Sequence, residues 1–184
     1  METINLTSTI NGSTYTILYN GKPWIVQDTN KHNPFPAATI QESVELHIAY
    51  QYLEFRNQVL NALKSACNEA ITNGVDVEID GFTKHFSLET YDQINIMSLR
   101  GAVMAGAQSV SYHADGEDCI TYSAANFALI ANAAEAHIKH HQTYYNQLKK
   151  QTEAMEDINQ VINVKYGDAL TGEYLIKYTS IMNS

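Results

Sequence analysis

His137, His140 and His141, with Glu135 just upstream, are the side chains whose types and spacing come nearest to chemistry in this chain. On a helix, His137 and His141 stand one turn apart and face the same way, and an i, i+4 His pair can fill two coordination positions of Zn²⁺. A hydrolytic zinc helix has the HExxH arrangement, in which a Glu follows the first His and supplies a general base. Here Ile138 occupies that place, and a third ligand would have to come from elsewhere, for instance His47 or Asp118. The plainer reading is a set of helix-surface or seam histidines whose charge changes between about pH 5 and 8. A metal-dependent enzyme using the His137/His141 cluster is therefore the last of three functional readings. No residue is assigned as catalytic, cofactor-binding or metal-ligating, and no cofactor is expected.

The other chemical motifs are weaker. Asp115-Gly116-Glu117-Asp118 invites a calcium reading but lacks the alternating oxygen ligands and distal Glu of an EF-hand loop. Asp-Gly marks type I′ hairpin turns, so a turn with acidic flanks is expected instead. Gly101, Ala105 and Gly106 form neither GxGxxG nor GxxxxGK and stand at the end of an expected helix, where they suit close packing or a C-cap. No GxSxG elbow occurs, and no carboxylate pair stands out in an apolar context. The expectation is a protein that is not an enzyme.

The elements that position these residues are legible from periodicity. Residues 1–28 alternate as strands do, through Ile4 and Leu6, then Tyr15, Ile17 and Tyr19, then Trp24 and Val26, with Asn11-Gly12 and Asn20-Gly21 between them. Asn-Gly supplies the positive φ of type I′ turns, so the run reads as a three-stranded meander with Pro23 opening its last strand. Pro34 and Pro36 then make an extended connector. A long helix follows, from the capping-box pair Thr39 and Glu42 through Ile40, Val44, Ile48, Tyr52, Phe55, Val59 and Leu63 to Asn73-Gly74.

From Val75 the period becomes that of a strand: Val75, Val77 and Ile79, then Asp80-Gly81, then Phe82, Lys84 and Phe86. Ser87 is expected to cap a second helix with Leu88, Tyr91, Ile94, Met97 or Ser98, and Gly101 or Ala102 on one face. A second hairpin runs through Val110, Tyr112, Asp115-Gly116 and Cys119 to Thr121, and Ser123 caps a last helix expected to reach from Ala124 to about Tyr166. Its stripe Ala134, Ile138, His141, Tyr145, Leu148, Thr152, Met155, Asn159 and Ile162 steps by four and three alternately. That is coiled-coil spacing, in which Asn can fix register. Ile138, Tyr145, Leu148, Met155, Asn159 and Ile162 are thus assigned to an oligomer or helix-packing seam. The alternative is that the stripe packs on the helix from Ile40 to Asn73 within one subunit. Tyr174 to Tyr178 reads as a short strand-like run.

The fold class expected is α+β: a small N-terminal antiparallel β meander, then helix, hairpin, helix, hairpin and long helix. Residues 1–36 form the meander and its Pro-containing linker, a docking or oligomerisation module. Residues 37–167 form a helical body with two β-hairpins, and residues 168–184 a C-terminal tail. With 184 residues, 45% hydrophobic and 17% charged, the chain can bury a core without staples. Cys67 and Cys119 show no CxxC spacing and read as small core fillers. Met1 to Ile10 has neither the basic nor the apolar region of a signal peptide, and no window approaches the roughly 18 apolar residues of a membrane span. No membrane insertion is expected. The formal charge is −9, and between Val75 and Asp118 eight acids face only Lys84 and Arg100. Such a surface repels phosphate backbones, which disfavours nucleic acid as a partner.

The stretch from about Leu53 to Met155 resembles a known family. The helix ending in Asn73-Gly74, the Asp80-Gly81 turn, the Phe82 to Phe86 return, the helix through Ile94 to Ala107, the run Val110 to Asp115-Gly116, Ile120-Thr121, and the Ala-rich helix into His137-Ile138 are similar to a domain of unknown function that recurs in bacteriophage tail proteins. Members are often encoded near tail-fibre genes. Where relatives carry Trp on the first strand of the second hairpin, this chain has Tyr112. The resemblance brings no catalytic residues. It implies a virion structural protein of the tail, made in the host bacterial cytoplasm: a fibre, baseplate or adaptor component that mediates assembly or attachment. Its partners would be other phage tail or fibre proteins and, as a homo-oligomer, further copies of itself. The second reading is a tail-fibre assembly chaperone not retained in the virion.

Overall fold

Two-residue periodicity at the N-terminus, the Asp80-Gly81 turn and the alternating runs on either side of Asp115-Gly116 give short antiparallel sheets, and the long apolar stripes give helices. The computed structural model describes the backbone of residues 5–7, 14–19, 22–27 and 40–184, with side chains from Tyr52 onward and at Ala49. The Asn11-Gly12 and Asn20-Gly21 turns, the 31–36 connector, Thr39 and the side chains of Glu42 and His47 lie outside the described residues. The chain divides into two compact units, Met1–Leu53 and Glu54–Ser184. The fold class is α+β.

The first unit carries β1 (Asn5–Thr7), β2 (Thr14–Tyr19) and β3 (Lys22–Gln27) in one antiparallel sheet of order β1-β2-β3. Its register pairs Asn5 with Leu18 and Tyr19 with Lys22. Pro23 lies on β3, at an edge of this three-stranded sheet, where a missing N–H is tolerated. Helix α1 (Ile40–Thr72) begins in this unit and runs into the second.

In the second unit, α1 ends where expected, at Gly74, whose φ of +86° only glycine adopts without strain. The chain turns at once into β4 (Val75–Ile79), which pairs with β5 (Phe82–Phe86). Asp80 and Gly81, at φ 52° and 83°, make the two-residue type I′ turn that the Asp-Gly sequence favours. Helix α2 (Thr90–Met104) follows, then β6 (Ser109–Tyr112) paired with β7 (Ile120–Ser123), then α3 (Ala124–Glu153). Ser123 caps α3 as its type predicts, its Oγ accepting from the Asn126 N–H at 3.2 Å. One face of each hairpin supplies the main core. Val77, Ile79, Val110 and Tyr112 point inward while Asp76, Glu78, Ser109 and Ser111 point out. Phe86, Leu88, Phe127 and Ile130 fill the centre, each at most 1% exposed; burying a side chain of this size contributes about 2–3 kcal/mol. Tyr112 stacks on Phe86 at 6.1 Å and meets Phe127 edge-on at 5.8 Å.

Five expectations are corrected. Ser87 does not cap α2: the N-cap is Glu89, without a side-chain bond, and the Ser87 Oγ donates to Asp92 Oδ2 at 3.0 Å. Asp115-Gly116 is not a two-residue turn, because Tyr112 pairs with Ile120 and leaves a loop from His113 to Cys119. Asp115 and Gly116 still make a turn, the Glu117 N–H donating to the Ala114 carbonyl at 3.0 Å with Gly116 at φ 72°, and hydrogen bonds to the end of β5 hold that turn inside the longer loop. Cys119 is exposed on it rather than in the core, whereas Cys67 is buried. The last helix stops at Glu153 instead of near Tyr166. The Asp157 carboxylate accepts from the Asn159 N–H at 2.8 Å and starts a separate short helix, α4 (Ile158–Val161). Finally, Tyr174 to Tyr178 is helical, within α5 (Gly172–Met182). Tyr174 and Tyr178, one turn apart, both pack on a second cluster formed by Leu63, Leu148 and Leu170, and that burial favours a helix over a strand. Tyr144 fastens the approach to α5: its hydroxyl donates to the Asp168 carbonyl at 2.7 Å and accepts from the Gly167 N–H at 2.9 Å.

Candidate functional site

Helix α2 is apolar on two sides, which fifteen residues with only Asp92 and Arg100 charged make possible. Ile96 is buried and Leu99 and Val103 are half-buried against the main core. Of the face marked out by its spacing, Leu88 is buried but Tyr91 is 81% exposed, Ile94 56% and Met97 74%, and Met104 on the same side is 81% exposed. The parallel run Ile96, Leu99, Val103 has equal helical spacing, and its β-branched ends sit where the hairpins supply a wall.

Beside this face, between α2 and α3, lies an open groove of about 660 Å³. Leu88, Ile96, Ala131, Ala134 and Ile138 contribute apolar surface, and Met97, Gly101 and Met104 belong to the α2 wall. The Arg100 guanidinium donates to the Glu135 carboxylate from α2 to α3, and Lys139, Gln142 and Asn146 add polar groups on the α3 side. The volume lies within the range of ligand sites, yet no nucleophile–base pair converges on it. Its lining is apolar at the base and on the α2 wall and polar along the α3 rim.

The histidines come together as the i, i+4 spacing requires, with ring centroids 4.4 Å apart for His137–His141 and 4.7 Å for His140–His141. Each has a separate partner. The His137 Nε2–H donates to the Ala70 carbonyl at 2.8 Å, His140 Nδ1 bonds the Tyr178 hydroxyl at 2.6 Å, and His141 Nδ1 bonds the Tyr166 hydroxyl at 2.9 Å. The Cys67 Sγ–H donates to the His141 carbonyl at 3.4 Å. Burial, reinforced by repulsion from His137 and His140, pushes His141 down to about 4, so its ring is neutral near pH 7. Burial raises the Tyr166 hydroxyl as well. Among the described residues no group of three or more His, Cys, Asp or Glu side chains could hold a metal ion. The cluster joins α1, α3, α5 and the segment after α4 through rings and hydroxyls.

On the acidic hairpins, His85 bonds Asp76 Oδ1 at 2.6 Å and the Asn73 carbonyl at 2.7 Å. The bond to Asp76 raises its pKa above the ordinary histidine value. Lys84 pairs with Glu117, tying the first hairpin to the second loop.

A family model described as "Domain of unknown function (DUF4376)" matches residues 54–167. The chain belongs to the DUF4376 family. The match opens at Glu54, the first residue of the second compact unit, and takes in both hairpins, α2, α3 and α4. Helix α5, which supplies Tyr178 to the histidine cluster, lies beyond it. No curated protein and no solved structure matches the chain.

Within the DUF4376 domain the seam residues have different surroundings. Ile138 is half-buried against the main core, and Tyr145 packs on the second cluster, where Leu148 is 0% exposed. Met155 and Asn159 are half-buried past the end of α3, and Ile162 is 45% exposed. The break after Glu153 therefore takes Met155, Asn159 and Ile162 off the helix that carries the other three. Sequence reasoning missed the exposed α2 face. The available signal was the coexistence of two apolar stripes on one short helix, of which a single-sided core can bury only one. No helix among the described residues is long and apolar enough to cross a membrane.

Proposed function

We propose that this DUF4376 protein is a non-enzymatic structural protein of a bacteriophage virion, a fibre, baseplate or adaptor component of the tail that mediates assembly or attachment. The observation that carries the assembly half of this reading is the α2 face: Tyr91, Ile94, Met97 and Met104 form an apolar surface on the described unit beside an apolar groove. Exposed apolar patches of this kind mark protein contacts more often than chemistry. Support for the tail comes from the resemblance of the Leu53 to Met155 stretch to a domain that recurs in phage tail proteins.

The groove itself favours a second reading. A tail-fibre assembly chaperone needs an apolar surface that holds a partner segment and lets it go, and an open groove of about 660 Å³ with a polar α3 rim suits that use. Mass spectrometry of particles purified through a density gradient separates the two. Stoichiometric protein in the particle supports the structural reading. Protein present in infected cells, absent from particles and needed for fibre assembly supports the chaperone. Absence from both particles and the fibre-assembly pathway overturns both.

A further inference from the structure

We infer that the outer face of α2 is a self-association surface, on which a second copy of this chain packs its own α2 in antiparallel, two-fold fashion. The inference deepens the assembly reading only by naming the partner; it stands or falls on the α2 surface, whether or not the protein is part of a virion.

Ile94, Met97, Gly101 and Met104 step by three, four and three, the seam spacing of helix pairs. Gly101 lies inside α2, where glycine costs about 1 kcal/mol relative to alanine. Its backbone does not have a positive φ, and beyond the adjoining residues and turns of its own helix nothing lies within 4 Å of the Cβ it lacks. Nothing in the described packing requires glycine there, whereas a helix approaching from outside does. Placing a two-fold axis beside Met97 sets Ile94 of one copy against Gly101 of the other and Tyr91 against Met104, so that large side chains meet small or flexible ones. Arg100 and Asp92 lie off this face, bonded within the chain to Glu135 and to Ser87, so the contact is apolar and its antiparallel sense rests on the pairing of large side chains with small or flexible ones.

The area suffices as well. At roughly 200 Å² for each large side chain, the exposed parts of Tyr91, Ile94, Met97 and Met104 present about 600 Å² per copy. Two copies then bury at most about 1,200 Å², the lower end of stable interfaces. This fits a dimer of micromolar strength that further contacts can reinforce.

The full chain at about 100 µM is expected to sediment as a dimer. Ile94→Glu and Gly101→Leu are each expected to return it to a monomer that keeps its circular dichroism, with the melting of Gly101→Leu not lowered, since both positions are exposed, the space at Gly101 is open and leucine favours the helix over glycine. In a Cys119→Ser background, Met97→Cys is expected to form a disulfide-linked dimer under mild oxidation, and Ile176→Cys, equally exposed on α5, is not. A monomeric full chain overturns the proposal, as does a dimer that survives both α2 substitutions. So does a monomer whose α2 amides lose hydrogen-exchange protection on Ile94→Glu, because the N-terminal unit would then be the occupant. A monomer that is nonetheless found in purified particles would refute the α2 contact and leave the tail reading standing.

Discussion

Ser87 and Asp115 lie 28 positions apart and are joined by a 3.0 Å hydrogen bond, the Ser87 N–H donating to Asp115 Oδ1. The Asp115 N–H in turn donates to the His85 carbonyl at 2.9 Å. Asp115 thus continues the edge of β5 as a further strand residue would, and it ties the β6–β7 loop to the first hairpin. Asp115→Ala keeps the backbone bond and leaves the Ser87 N–H without its acceptor. A loss of about 1–2 kcal/mol is expected in urea unfolding, and Asp115→Asn, which retains an acceptor oxygen, is expected to lose less than half of that. Equal losses for the two variants would show that charge, rather than the bond, holds the loop.

Gly74 and Gly81 both have positive φ and should respond unequally to alanine. At Gly74 an added Cβ would stand 2.1 Å from the Phe86 carbonyl oxygen and 2.6 Å from the Ser87 Cα, all backbone. At Gly81 it would meet nothing within 4 Å. Gly81→Ala therefore carries only the left-handed penalty, about 1 kcal/mol. Gly74→Ala must also move the end of β5 away from the α1 terminus and is expected to cost about 4 kcal/mol or more. Thermal melts of the two variants test the difference.

The sequence made the first hairpin, the α1 C-cap and the Ser123 cap legible because each rests on one residue's own chemistry: positive φ at Asp80 and Gly81, positive φ at Gly74, a short acceptor at Ser123. It misled where the deciding partner was distant in sequence. Asp115 has the same local preference as Asp80 and also stands in a turn, closed by the Glu117 N–H on the Ala114 carbonyl, but its bonds to the end of β5 set that turn inside a longer loop instead of between paired strands. Ser87 stands two residues before the cap position, where Glu89 lies, and donates to Asp92 instead. The outward α2 stripe and the helical tail were ambiguous for one reason: periodicity reports that a face is apolar, not what covers it. The groove could not be read at all, since it arises from the spacing of two helices and not from any residue on them.

His141 makes stability depend on pH. Its folded pKa, about 4, lies below the ordinary histidine value near 6.5, so the unfolded chain binds the proton more readily between those two points. Its contribution is present above pH 6.5 and is lost as pH falls toward 4. Partial solvent access reduces the effect to about 1 kcal/mol. His85 has the opposite sign: its raised pKa gives stability that is full below the ordinary histidine value and lost as pH rises through the raised one. Unfolding free energies measured from pH 4 to 8 for the parent and for His141→Gln isolate the first effect. The difference between the two should narrow steadily as the pH drops below 6.5, and a difference independent of pH would rule out this titration as its source.

Leu148 and Ile162 share the seam spacing of the C-terminal region but not its energetics. Leu148 is 0% exposed on α3 and packs with Leu63 of α1 and Leu170 of the segment before α5, so Leu148→Ala opens a cavity where three parts of the chain meet. A loss of about 3 kcal/mol is expected, within the usual range for a buried leucine. Ile162 caps the short helix α4 and is 45% exposed, so Ile162→Ala should change stability by less than about 0.5 kcal/mol. The same pair separates helix packing from self-association. With the dimer contact on α2, Ile162→Ala leaves the sedimenting mass of the full chain unchanged, and Leu148→Ala alters it only through unfolding. A variant at Ile162 that kept its melting point and shifted the chain to monomer would instead place the subunit contact beside α4, where the exposed end of the stripe is the nearest apolar surface.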